Sequence, residues 1–235
     1  MKTISSLLCV AAMAATSGCV MTEPTESRTF SLTGFDAIDA SGGVNLVLKQ
    51  GPYSIRAEGP KSKLDKLVVE QQGSTLLVRR EPMGMSWFGV STPDLVTVTA
   101  PGYTAIHATG GADVEASGLT QPALTLRTSG GADFDATSFR IDQLNIESSG
   151  GSDVRISGAC KSATISASGG ADVEGKSFAC ETATVTASAG SDVEINASIQ
   201  ATGDASSGAD IRFFGAPATF NKTESSGGDV ELQSR

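Results

Sequence analysis

The chain has 235 residues, 39% of them hydrophobic, enough for one sizeable core, with nothing in the composition that requires a second one. Its formal charge of −9 excludes nucleic acid as a natural partner, because a polyanion would be repelled over most of the surface. Aromatic residues are only 5% against 27 glycines, a balance that favours β-structure with many tight turns over packed helices.

The chain opens on "MKTISSLLCVAAMAATSGCV", where Lys2 is the only charge before Cys19. The apolar run from Ile4 to Ala15 is too short to span a bilayer, so residues 1–18 read as a secretory signal. "TSGC" at 16–19 resembles the bacterial lipobox, which implies lipidation of Cys19 and, because Val20 rather than aspartate follows, sorting to the outer membrane. The alternative is cleavage after "AMA" at 12–14, leaving Cys19 a free thiol. Residues 19–29 are polar and contain proline, as suits a lipidated tether.

Residues 30–235 form the expected β-solenoid domain, of which 30–107 is a divergent N-terminal part. "DASGGVNLVLKQG" at 39–51 carries a Ser-Gly-Gly turn followed by Val44, Leu46 and Leu48 in alternation, like a divergent copy of the later repeat. Strands follow at 53–57, 67–71, 75–80 and 95–100, with Gln50-Gly51 and Gln72-Gly73 as turn signals. Repeat arrays need atypical ends to cover strand edges, so this part is expected to cap one end. The apolar loop "EPMGMSWFGVSTPD" at 81–94 holds Met83, Met85, Trp87 and Phe88. It is expected either to fold over an open end of the stack or to form a partner-contact patch. His107, the only histidine, reads as a surface imidazole.

From residue 108 a turn of the type seen in "SASGGADVEG" (166–175) recurs seven times. Its aspartates are Asp113, Asp133, Asp153, Asp172, Asp192, Asp210 and Asp229, spaced 20, 20, 19, 20, 18 and 19 residues apart. A fixed period near 20 is the signature of a solenoid. Apolar residues alternate before each turn (Leu144 and Ile146) and after it (Val154 and Ile156), so each unit is two short half-buried strands meeting at a glycine corner. One unit cannot bury its inward side chains alone. Stacking units at the strand spacing of about 4.8 Å gives seven coils over 108–235 around one narrow core.

With Val facing inward in each "DVE", the aspartates form an outward row, and Glu115, Asp135, Arg155, Glu174, Glu194, Arg212 and Glu231 form a second. Two readings stand for the first row. Each Asp accepts hydrogen bonds from corner amides in an Asx-type turn, or the row binds Ca²⁺, a hard cation that favours several carboxylate oxygens. Cys160 and Cys180 are one repeat apart at equivalent positions, about 5 Å from each other on adjacent coils, within reach of a disulfide. No residue set reads as a nucleophile elbow or catalytic metal motif, and all coils carry nearly the same residues, whereas an active site would single out one or two. No enzyme and no cofactor other than Ca²⁺ are expected.

The segments "FDAIDASGGVNLVLKQG", "IRAEGPKSKLDKLVVEQQGSTLLV" and "VTVTAPG", with the serial Ser-Gly-Gly-X-Asp-Val turns, resemble the bacterial family called putative auto-transporter adhesin, head GIN domain, over about residues 30 to 232. The resemblance implies an all-β, right-handed parallel β-helix-like fold on exported, often lipid-anchored proteins. Ala189 departs from the pattern by replacing the first turn glycine, and the coil before Asp210 is shortened. The expected function is that of a lipid-anchored structural or adhesion-like interaction module of the cell envelope, with membrane contact through the N-terminal lipid. The alternatives are a carbohydrate- or Ca²⁺-binding surface protein and, further off, a polysaccharide-active enzyme.

Overall fold

The computed structural model describes residues 23–81 and 94–233. The first part of the chain forms β1 (Thr25–Phe30), β2 (Ala37–Ser41), β3 (Asn45–Gln50), β4 (Ser54–Pro60), the single-turn helix α1 (Lys61–Leu64), β5 (Leu67–Gln72), β6 (Thr75–Arg80), β7 (Leu95–Ala100), β8 (Ala105–Thr109) and β9 (Asp113–Ser117). Longer strands follow: β10 (Thr120–Ser129), β11 (Asp133–Ser149), β12 (Asp153–Ser168), β13 (Asp172–Ser188) and β14 (Asp192–Ser206). Three short ones end the series: β15 (Asp210–Phe214), β16 (Thr219–Ser225) and β17 (Asp229–Gln233). The four strands expected between residues 53 and 100 correspond to β4, β5, β6 and β7.

From residue 105 onward every pairing is parallel and the corners stand in register: Asp113 lies beside Asp133, then come Asp153, Asp172, Asp192, Asp210 and Asp229. The seven corners enclose six full turns. The chain approaches each corner along one face (Leu144 to Ser149 is an example) and leaves along a second (Asp153 to Ile156). Their inward residues pile into buried columns. Leu126, Ile146, Ile165 and Val185 form one, and Val114, Phe134, Val154, Val173, Val193 and Ile211 another. Each such side chain contributes about 1.5–3 kcal/mol when removed from water, so stability is distributed over many similar rungs.

The columns are fitted, not merely apolar. Gly203 continues the column of Ile165 and Val185, and a Cβ there would lie 2.9 Å from the Phe213 ring and 2.7 Å from Val230. The large Phe213 therefore takes the volume that the approach face gives up.

A third face, absent from the two-strand expectation, closes each turn. The long strands bend without a break into residues such as 158–160 and 178–180, where Phe139 and Phe178 point inward and are fully buried. The register shifts in the ladder fall between Ala136 and Phe139, Arg155 and Gly158, Gly175 and Ala179, and Cys180 and Thr182, all on or beside this face. Turns of 18 to 20 residues thus keep the other two faces in register by taking up their length differences here.

The N-terminal part caps the stack by a non-sequential route. The rung β2–β3 stacks on β8–β9, with Asn45 beside Asp113, so the divergent copy is an eighth corner. On its other side lies an outer rung made of β6 and β7, parallel to β2 and β3. Three antiparallel pairings then cover this end: β1 with β4, β4 with β7, and β5 with β6. Tyr103 is buried where the chain returns to the coils and its hydroxyl donates to the carbonyls of Lys49 (2.9 Å) and Val98 (3.0 Å). Burial pushes this phenol well above its usual pKa.

At the other end, Lys222 continues the column of Val185 and Gly203, and Glu224 that of Ala205. Glu224 Oε1 takes a proton donor on each side, Lys222 Nζ at 2.7 Å and the Val230 amide at 2.9 Å. Inward charges on a terminal strand disfavour edge-to-edge association, and here they also cover the end of the core.

Candidate functional site

The two outward rows form a single acidic face. The seven aspartates are in register, exposed or half-buried. Glu115, Asp135, Arg155, Glu174, Glu194, Arg212 and Glu231 run parallel to them. Adjacent carboxylates about 5 Å apart repel by roughly 1 kcal/mol in a water-like dielectric. Two arginines offset this locally. Arg155 lies 3.5 Å from Asp153, 3.6 Å from Glu174 and 3.9 Å from Asp135. Arg212 lies 3.3 Å from Asp210 and 3.9 Å from Glu194.

The Asx-type turn is not what the corners use. Among the described residues no carboxylate of the row accepts a corner amide. The aspartate backbone N–H groups instead bond to the preceding turn, as Asp153 N does to Ala132 O and Asp172 N to Ser152 O. The corner glycine amides bond to the following turn: Gly131 N donates to Gly150 O and Gly151 N to Gly169 O. Corner donors that are satisfied along the stack have no need of a side-chain acceptor. The row therefore keeps its repulsion. Partial burial, with Asp153 and Asp113 on either side, raises the pKa of Asp133. Asp192 is raised by burial and by Asp210 and Asp172. Asp229, at the end of the row, is raised by desolvation and by Glu231 and Glu224. The side chains form a line and do not converge: no group of three or more metal-ligating residues within reach of one ion occurs among the described residues.

The approach face differs in chemistry. Ser129, Ser149, Ser168 and Ser188 stand in register beside the corners and line a shallow groove, about 490 Å³ in volume, with the Arg127–Glu147 ion pair (2.8 Å) at its edge. Beneath it Thr128, Ser148 and Ser152 are buried and bond to one another, with Thr128 Oγ1 to Ser148 Oγ at 2.8 Å and Ser148 Oγ to Ser152 Oγ at 2.9 Å. His107 is not a free surface imidazole. It is half-buried between Asp39 and Arg127 in the ladder, and its Nε2 is enclosed without a hydrogen-bond partner among the described residues.

Cys160 and Cys180 are ladder partners joined in a disulfide, with Cα atoms 4.5 Å apart. Cys19 and the loop residues Met83, Met85, Trp87 and Phe88 lie outside the described residues. The feet of that loop, however, show a cluster the sequence did not reveal. Asp94 is fully buried and accepts two bonds from Arg80 Nη2, at 2.6 and 2.7 Å, with Lys63 Nζ 3.7 Å away. Arg80 Nη1 also donates to Gly43 O at 2.6 Å, and Asn45 Nδ2 to Asp94 O at 3.0 Å. Glycine is required at position 42, where a Cβ would lie 2.8 Å from Arg80 O and φ is +73°.

Comparison with known proteins adds a family and a fold. Residues 34–217 match the family described as "Putative auto-transporter adhesin, head GIN domain". Among solved structures, a "putative adhesin" from Bacteroides fragilis superposes with a TM-score of 0.83 at 19% identity, over 90% of this chain and 98% of its own. A "putative adhesin" from Parabacteroides distasonis gives 0.68 at 16% identity, over 90% and 98%. A "putative lipid binding protein" from the same species gives 0.67 at 12% identity, over 88% and 96%. At these identities the likeness is one of fold. No curated protein matches the chain.

Proposed function

This chain belongs to the family described as "Putative auto-transporter adhesin, head GIN domain", and from that premise we propose that it is a non-catalytic, adhesion-like interaction module of the bacterial cell envelope, held at the outer membrane by lipid on Cys19. One observation carries the reading. The outward chemistry repeats rung after rung, with Asp above Asp on one face and Ser above Ser on the other. A surface of that kind offers many equivalent contacts to an extended or repeating partner, and repetition multiplies weak contacts into avidity. The lipobox-like "TSGC" and the polar tether of residues 20–29 support anchoring.

Two experiments test it. Labelled palmitate supplied to cells making the full chain should be incorporated by the wild type and not by Cys19→Ala, which should also leave the membrane fraction; a labelled Cys19→Ala protein refutes the anchor. The soluble form lacking residues 1–19 should retain specific components from arrays of glycans and envelope proteins while leaving them chemically intact. New reducing ends after incubation with polyuronides would make it an enzyme instead. The second reading, Ca²⁺ binding, has the charge of the aspartate row behind it but no converging ligand set among the described residues; calorimetry on chelator-treated protein tests it, heat at millimolar Ca²⁺ with a raised melting temperature supporting it and the lack of both discarding it.

A further inference from the structure

The third face weakens along the stack, and the disulfide stands where it begins to fail. Between β11 and β12 it is paired at Phe139–Gly158, Arg140–Ala159 and Ile141–Cys160. The next rung keeps equivalent pairs, Phe178, Ala179 and Cys180 taking the places opposite Gly158, Ala159 and Cys160. One rung further, only Ala179–Asn196 and Cys180–Ala197 remain, and Cys180 to Thr182 stands opposite Ala197 to Gln200 with a register shift between. Beyond β14 the ladder runs from Asn196–Phe214 directly to Gln200–Thr219, so 197–199 and 215–218 do not pair with each other. The approach and exit faces stay in register throughout. Fraying of the third face therefore has one direction from which to start, and Cys160–Cys180 is the first covalent tie it would meet.

We propose that this disulfide is a redox-opened staple of the third face: oxidised, it fixes the register there; reduced, it lets that face fray back from the 196–199 side while the other two faces remain paired. Both half-cystines belong to the buried core, so a reductant reaches the sulfurs by local opening of the third face from the 196–199 side, short of global unfolding. Cys160 is 8% exposed against 2% for Cys180, and it lies beside a shallow groove lined by Arg140, Lys161, Asp142 and Glu181, where Lys161 pairs with Asp142 at 2.9 Å. A dithiol thiolate attacks Cys160 Sγ, breaking the S–S bond and releasing Cys180 as a thiolate that takes up a proton. The second thiol then closes the reagent's own disulfide and releases Cys160. Two electrons pass from the dithiol to the cystine.

Native-state hydrogen exchange on the full chain, with and without dithiothreitol, tests the proposal. Reduction should accelerate exchange at Ala179, Cys180, Asn196 and Ala197 by about 10-fold or more, while Val154, Val173, Val193, Ile146, Ile165 and Val185 keep their protection. The variant Cys160→Ala/Cys180→Ala should show the same pattern without reductant and no further change with it. Three results would overturn the idea: reduction that occurs only at the rate of global unfolding, lost protection that spreads to the approach and exit faces, or unchanged exchange on the third face.

Discussion

The cap and the coils solve the same problem, burial of a sheet's inner face, with opposite distributions of charge and contact. Residues 105–235 hold 8 basic and 17 acidic residues, so the whole net charge of −9 sits there, while residues 1–104 hold nine of each. In the coils most contacts recur: rung after rung sets an apolar side chain inside and an Asp outside, and the like charges repel along the stack. In the cap the contacts occur once each, such as the Arg80–Asp94–Lys63 cluster, the Tyr103 hydroxyl between two carbonyls, and Arg28, which bonds to Leu64 O (2.7 Å) and Asp65 (2.5 Å). Repetition spreads stability thinly and tolerates a strained row. A non-repeating end must be held by contacts that cannot be exchanged.

The sharpest break of this comparison is Asp94→Ala. It leaves the Arg80 and Lys63 side chains, 11% and 13% exposed, without their counter-charge, and removing one member of a buried ion pair costs about 3–5 kcal/mol. Denaturant titration should show that loss, with the cap strands β5 and β6 exchanging their amides before the coils do. A coincident loss of protection in β12 and β13 would mean that cap and coils fold as one unit.

Gly158→Ala tests whether the coils are as tolerant as their regularity implies. At φ +131°, with a Cβ placed 2.1 Å from Phe139 O, alanine would force the two third-face strands apart. We expect a cost of about 2–4 kcal/mol, seen as a lower midpoint in denaturant. Gly131→Ala, at φ +72° with open space around its Cβ, should cost only about 1 kcal/mol. Equal costs would show that backbone conformation, not space, limits substitution at both glycines.

These positions also mark what could be read from sequence. The Asp period and the alternation of residues such as Leu144 and Ile146 placed the approach and exit faces, the eighth corner at Asn45 and the Cys160–Cys180 bond, because each is a regular feature read against a fixed spacing. The third face was missed because stretches such as "TSFRID" (137–142) absorb the differences in turn length and so have no constant period. Rung order was hidden too. The chain passes from β3 out to β6 and β7 and back to β8, and alternation along a strand says nothing about which strand lies beside it. The Asp94 cluster draws its members from positions 63, 80 and 94, with no motif to join them. The Asx-type role of the aspartates failed for a different reason: it assumed corner amides in need of an acceptor, and the stack supplies one from the next turn.

Asn45→Asp would extend the charged row into the cap. It adds a carboxylate beside Asp113 and replaces the Asn45 Nδ2 donor to Asp94 O with an acceptor. Together these should cost about 1–2 kcal/mol, and the part due to repulsion should shrink in 1 M salt while the part due to the lost bond remains. A substitution without effect would mean that neutrality at the junction has no bearing on how the cap is held.

The smallest effect is the most diagnostic of the coils, because its sign is unusual. Asp133 has its pKa raised, first by burial and then by Asp153 and Asp113, so the folded state holds the proton more tightly than the unfolded chain does. Ionisation therefore costs stability at neutral pH. That cost is relieved as pH falls through the folded pKa and is gone below the ordinary carboxylate value, where both states are protonated. Asp133→Asn should accordingly stabilise the protein at pH 7 by about 0.5–1 kcal/mol at low salt, after allowance for solvent screening, or roughly 2–3 °C in melting temperature. The gain should fade towards pH 3 and diminish with added salt. Asp153→Asn, which removes a partner of Arg155 at 3.5 Å, should bring a smaller gain or none. If Asp133→Asn instead destabilises the fold, its carboxylate holds a favourable contact that outweighs its neighbours, and the coils would resemble the cap in depending on individual side chains.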